Sequence, residues 1–229
     1  MKIALVSFGL IIAAAAMPVS AAPIPVHSSG NGSLSDGAMD PYWTYTNSSG
    51  ITAPALVAAN PGVDFYDGGC HCNGPWTPNT VDRAWLVDNI ANSLSGGNPL
   101  SFSTTFDMTG LALSTATLNI AWGVDDAGIM LLNGHQIASL PTQTTSNWGN
   151  AALNPVTVFG SSGYFLPGTN VLTIQLTEND NGFEGVIAEL NGVADAISDV
   201  PEPSMPMLIG LAILALATAR RKVLAVRLG

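Results

Sequence analysis

Oxygen-rich residues are the first candidates for chemistry. Asp125 and Asp126 stand side by side, and Glu178, Asp180 and Glu184 crowd the stretch Glu178-Asn179-Asp180-Asn181-Gly182-Phe183-Glu184. Calcium takes several oxygen ligands at flexible geometry, so it is the cofactor either group would suit. Neither group has the spacing of an EF-hand loop. A solvated turn pair is the favoured reading of Asp125-Asp126, because neighbouring side chains on a strand point to opposite faces. A plain polar hairpin loop is favoured for Glu178 to Glu184. Cys70-His71-Cys72 offers soft ligands, but a structural zinc site needs four, and His27 and His135 have no patterned spacing to it. Two of the five tryptophans, Trp76 and Trp148, sit in loop contexts rich in Pro, Ser, Asn and Gly. An exposed indole can stack on the apolar face of a sugar ring, which makes these two the candidate carbohydrate contacts. No Gly-x-Ser-x-Gly elbow, no His-Glu-x-x-His helix and no phosphate-cradling Gly-Lys-Ser/Thr loop occurs, so no catalytic residue is assigned.

The elements that carry these groups are bounded by charge. The chain has six basic and sixteen acidic residues. Five of the basic ones, Lys2, Arg220, Arg221, Lys222 and Arg227, lie at the two ends. The middle holds all sixteen carboxylates against Arg83 alone, a formal balance of −15. One cation cannot neutralise a run of phosphates, which excludes nucleic acid as a partner.

At the front, Lys2 precedes an apolar stretch from Ile3 to Ala16, and Val19-Ser20-Ala21 and Ser20-Ala21-Ala22 place small residues where a signal peptidase reads them. The pattern predicts a signal helix over residues 1–22, removed by cleavage after Ala21 or Ala22. In an exported chain Cys70 and Cys72 are expected to be oxidised rather than to hold a metal or stay free. The bridge would close a very small ring and be labile.

At the back, Val200-Pro201-Glu202-Pro203 leads into Ser204-Met205-Pro206, then into Met207 to Ala219 without a charge, then into Arg220-Arg221-Lys222. That apolar run is shorter than the roughly 20 residues of a relaxed helical span. The basic cluster would stay on the cytoplasmic side. This ordered set resembles the PEP-CTERM sorting signal of Gram-negative bacteria. The resemblance implies sorting and processing at Pro201, Glu202 and Pro203, with Arg220 and Arg221 closing the tail. It also implies an exosortase-type processing enzyme as partner, transient association with the inner membrane, and final residence at the cell surface or in the extracellular matrix, where such proteins accompany exopolysaccharide and biofilm.

Between the ends, Pro23 to Gly37 is rich in Ser, Gly, Asn and Pro and reads as a flexible leader. Residues 38–194 read as the domain, 195–203 as a linker with the Pro-Glu-Pro motif, and 204–229 as the hydrophobic sorting helix with its basic tail. Strands are predicted at Tyr42–Thr46, Leu100–Phe106, Leu118–Val124, Gly128–Leu132, Gln136–Leu140, Val156–Phe159, Val171–Thr177 and Phe183–Leu190. Asn133-Gly134 is the dipeptide that best fits a tight hairpin turn. Leu118, Ile120, Trp122 and Val124 share one face, and Trp85 and Trp122 are expected in the core. Many short strands separated by turn residues argue a β-sandwich.

The stretch Trp122 to Ile137, with Gly168-Thr169-Asn170-Val171-Leu172-Thr173-Ile174-Gln175-Leu176 and Phe106-Asp107-Met108-Thr109-Gly110, is similar to the galactose-binding-like jelly-roll domains over residues 82 to 192. The resemblance implies an all-β jelly-roll β-sandwich, a fold that hosts binding, structural and accessory roles alike. Three functions follow. The first is a non-enzymatic surface protein contacting exopolysaccharide, the second a structural adhesin or spacer, and the third a glycan-active enzyme.

Overall fold

The computed structural model describes residues 20–30, 34–58, 77–90, 100–125, 127–141, 153–177 and 184–197, together with Gly210, Ile213 and Leu214. The chain divides into two compact units, Met1–Ile197 and Ser198–Gly229.

The first unit is all-β. Its strands are β1 (Ala21–Pro23), β2 (Met39–Thr46), β3 (Thr52–Ala58), β4 (Trp85–Val87), β5 (Leu100–Asp107), β6 (Thr117–Asp125), β7 (Gly128–Leu132), β8 (His135–Leu140), β9 (Asn154–Phe159), β10 (Thr169–Leu176) and β11 (Gly185–Asp195). All pairings are antiparallel, in the order β8-β7-β10-β5-β2-β3-β4-β11-β6-β9, with β1 added to β11. The ends of this path, β8 and β9, come back against each other, so the sheet wraps around one interior as a sandwich or barrel.

Alternation fills that interior. On β6, Leu118, Ile120, Trp122 and Val124 are all at most 2% exposed, and they face Val186, Ala188 and Leu190 of β11 in register. Phe102, Met130, Leu132, Leu172 and Ile174 complete the opposite wall. A second cluster, Ala58, Trp85, Val87 and Ile187, lies apart from the first. It forms because β4 is buried along its whole length.

The hairpin joining β7 and β8 turns at Asn133-Gly134, where φ is 51° and 82°. Both values are positive, as a type I′ turn requires. The Asn133 side chain also ties the turn to β10. Its amide nitrogen donates to Asn170 Oδ1 at 2.7 Å and to the Tyr164 carbonyl, while its oxygen accepts the Val171 N–H. Asn170 is fully buried and bonds back to Leu166 and Gly168.

The segment expected to be a flexible leader is corrected by the structure from Pro23 to Gly30. β4 covers only a short part of one edge of β11, and residues 21–30 cover much of the rest. Ile24 is buried and its N–H bonds to the Gly192 carbonyl. Ser28 Oγ accepts the Leu190 N–H. Ser29 exchanges backbone bonds with Ala84 and Ala188, and its hydroxyl, 0% exposed, donates to the Ala84 carbonyl and accepts the Ala188 N–H. A run of small polar residues thus does the work of an edge strand, with two hydroxyls adding bonds to those of the backbone.

Candidate functional site

The N-terminal segment, β2, the turn before β4, and β11 enclose a cleft of about 680 Å³. One wall is built by a bulge in β2. Pairing with β3 jumps from Met39↔Leu56 to Thr44↔Pro54. Inside that bulge Asp40 is buried, and its carboxylate accepts the N–H groups of Gly30, Tyr42 and Trp43 at 2.7, 2.7 and 2.8 Å. These bonds fix the bulge and the start of the N-terminal segment against each other. Trp43 turns inward, 0% exposed, with its indole N–H on the His27 carbonyl. Tyr42, next in the alternation, turns outward.

The Tyr42 ring lies parallel to the His27 imidazole, with centroids 3.5 Å apart and planes 3° from coplanar. Tyr42 is nevertheless 53% exposed. One face of the phenol is therefore covered by the imidazole, and the other is open at the cleft. Polar groups oppose it. Asp82 lines the cleft and is exposed, Glu189 lines it and pairs with Arg83 behind it, and Asn191 lies two residues further along β11. From Asn191 a polar row continues over the outside of the sheet. Asn119 of β6 donates to Asn191 Oδ1, and Thr157 of β9 donates to Asn119 Oδ1 at 3.0 Å. An open aromatic face, carboxylates within the same cleft and an exposed row of amides and hydroxyls are the groups that a polyhydroxylated chain would meet.

The residues singled out from sequence are dispersed. Asp125 ends β6 opposite Gly185, and Glu184 immediately precedes β11. Both are buried, and strand alternation assigns them to opposite faces, Glu184 in phase with Val186 and the main core. Among the described residues no three His, Cys, Asp or Glu are grouped to hold a metal ion. Asp126, Glu178, Asp180, Cys70, Cys72, Trp76 and Trp148 lie outside the described residues, as do Pro201, Glu202, Pro203, Arg220 and Arg221. Ala21 and Ala22, expected to flank a signal-cleavage site, are placed in β1, in register with Asp195 and Ala194. The expected signal helix also lies outside the described residues. Of the sorting helix, Gly210, Ile213 and Leu214 are described and helical. Among the described residues no helix is long and apolar enough to cross a membrane.

Tyr42 and His27 had no signal in the sequence. Tyr42 read as one residue of a strand, and His27 as part of a loose leader. Their contact depends on the leader being docked.

Fold and tail together define the class: an all-β sandwich or barrel-like domain followed by a sorting segment. Residues 199–222 match the PEP-CTERM protein-sorting motif, so the chain carries the tail of an exported protein that an exosortase processes. No curated protein matches the chain. Among solved structures it is similar to a Stig cyclase, FisC, from Fischerella sp. TAU, at 14% identity over 78% of this chain and 100% of that one, with a TM-score of 0.45. It is also similar to a family 35 carbohydrate-binding module from an environmental isolate, at 17% identity over 74% of this chain and 95% of that one, TM-score 0.27. A GH31 alpha-xylosidase from Xanthomonas citri matches at 8% identity, over 68% of this chain and 17% of that one, TM-score 0.26. None of these scores reaches 0.5, and nothing about ligand or reaction passes from them to this chain.

Proposed function

We propose that this is a non-enzymatic protein of the cell surface or extracellular matrix, released from the inner membrane through its tail, whose β-domain holds polysaccharide. The observation that carries the reading is the Tyr42 ring, stacked on His27 by one face and open on the other, at the mouth of a cleft lined with Asp82, Glu189 and Asn191. A flat phenol with its back supported loses little freedom when a sugar ring lies on it. The polar row through Asn119 and Thr157 supports a chain rather than a single sugar, since it extends the hydrogen-bonding surface beyond the cleft.

The test is retention of the exported protein on the producing cell's own polysaccharide. Tyr42→Ala is expected to weaken retention roughly tenfold, the equivalent of losing about 1–2 kcal/mol of stacking. Tyr42→Phe, which keeps the ring, is expected to retain most of it. Equal retention of wild type and Tyr42→Ala, with both folded, would refute the cleft as the contact.

A further inference from the structure

Resting on that reading, we propose that the cleft selects glycans by charge, favouring sugars with free amines and turning away uronates. The argument starts from the only basic residue in the middle of the chain. Between residue 23 and residue 199 there are fifteen carboxylates and no Lys or Arg except Arg83. A carboxylated polysaccharide would be repelled by exposed carboxylates at the contact unless a guanidinium or ammonium offset them. Arg83 is beside the cleft, but its guanidinium is held by Glu189, and its side chain is only 15% exposed. Glu189 keeps 42% of its own side chain exposed, on the cleft side of the pair. Asp82, one residue before Arg83, is exposed and lines the same cleft.

The charges are placed where a sugar substituent would lie. The apolar face of the ring would rest on Tyr42, and its edge groups would face Asp82, Glu189 and Asn191. An ammonium on that edge meets one exposed carboxylate and one half-exposed one. A carboxylate on the same edge meets both and finds no free cation. An N-acetylated or hydroxylated edge is uncharged and rests on the stack and on the amides alone. The expected order of affinity is therefore amine, then neutral, then uronate. Exposed pairs are screened by salt, so the gap between amine and neutral sugars narrows at high ionic strength, while the contribution of the stack does not.

Three tetrasaccharides of matched length separate these terms: glucosamine, N-acetylglucosamine and galacturonate, titrated into the exported protein at low and high salt. The expected result is severalfold tighter binding of the glucosamine form at low salt, weaker binding of the acetylated form, and none of the galacturonate form. Asp82→Asn, at an exposed position, should cut glucosamine binding about two- to fivefold and leave the acetylated form unchanged. Glu189→Gln should release Arg83 and give galacturonate measurable binding. Galacturonate bound as tightly as glucosamine by the wild type, or an amine preference untouched by Asp82→Asn, overturns charge selection while leaving the polysaccharide reading intact. If none of the three binds and Tyr42→Ala has no effect on the native polysaccharide, both fall together.

Discussion

Replacing Ser29 with alanine is a direct test of whether the N-terminal segment is part of the fold. The Ser29 hydroxyl makes two bonds of 2.8 Å, donating to the Ala84 carbonyl and accepting the Ala188 N–H, and it is wholly buried. Alanine fits the same backbone and leaves a void no larger than one oxygen, so cavity cost is small. Each lost bond is worth about 1 kcal/mol net, and an orphaned buried N–H at Ala188 adds about 1–3 kcal/mol because water cannot reach it. The sum is about 3–5 kcal/mol. For a domain of this size each kcal/mol lowers the melting temperature by roughly 2–4 °C, so a drop of roughly 6–20 °C is expected. Ser28→Ala removes one bond, to the Leu190 N–H, at a partly buried site. It should cost about 0.5–1 kcal/mol, or roughly 1–4 °C. Thermal unfolding followed by near-ultraviolet circular dichroism reads both. A Ser29→Ala shift within 2 °C of wild type, or no larger than that of Ser28→Ala, would refute the claim that this segment replaces an edge strand.

Asn170→Ala removes bonds to Leu166, Gly168 and Asn133 at a fully buried position, and an expected loss of about 2–4 kcal/mol should appear as a lowered denaturant midpoint with an unchanged slope. Asp107 has its carboxyl held below the ordinary value of 3.8, first by the Thr109 hydroxyl and then by the Thr109 N–H. A depressed folded pKa gives stability that is present above 3.8 and lost as pH falls below it, so Thr109→Val should raise the Asp107 pKa by NMR titration and make the protein less sensitive to acid in that window. Replacing Pro201-Glu202-Pro203 with three alanines should leave the β-domain folded while unprocessed chain accumulates in the inner membrane; intact-mass analysis reads the outcome, and normal processing of the variant would refute the role of the motif.

Sequence pattern and structure agree where burial is one-sided. β6 alternates, and its four inward residues are the four that the pattern selected. Asn133-Gly134 turns as its composition requires, because positive φ is a local demand that few residue types meet. The failures have physical causes too. β3 carries Pro54 and was not expected, since proline lacks a ladder donor. β4 is buried on both faces and too short to alternate. β11 runs to Asp195, beyond the expected Leu190, with Gly192 and Ala194 continuing the inward face where their small size hid the pattern. The cleft was illegible for a different reason. Its aromatic wall joins His27 to Tyr42, and the ion pair beside it joins Arg83 to Glu189, across separations that no local window spans.

The pairing of the first strand with the last sets a schedule for folding. β11 is the partner of β6, β4, β1 and the 24–30 segment, so half of the sheet has no centre until Asp195 is available. Contacts of such long sequence separation close late and slowly, because their loop entropy is spent before any of them forms. A chain emerging amino-terminus first therefore stays open through almost its whole length, and closes only when the strand next to the sorting tail arrives. During that interval Ala21 and Ala22 are unpaired chain. Afterwards they are held against Asp195 and Ala194, and the first strand closes onto the last.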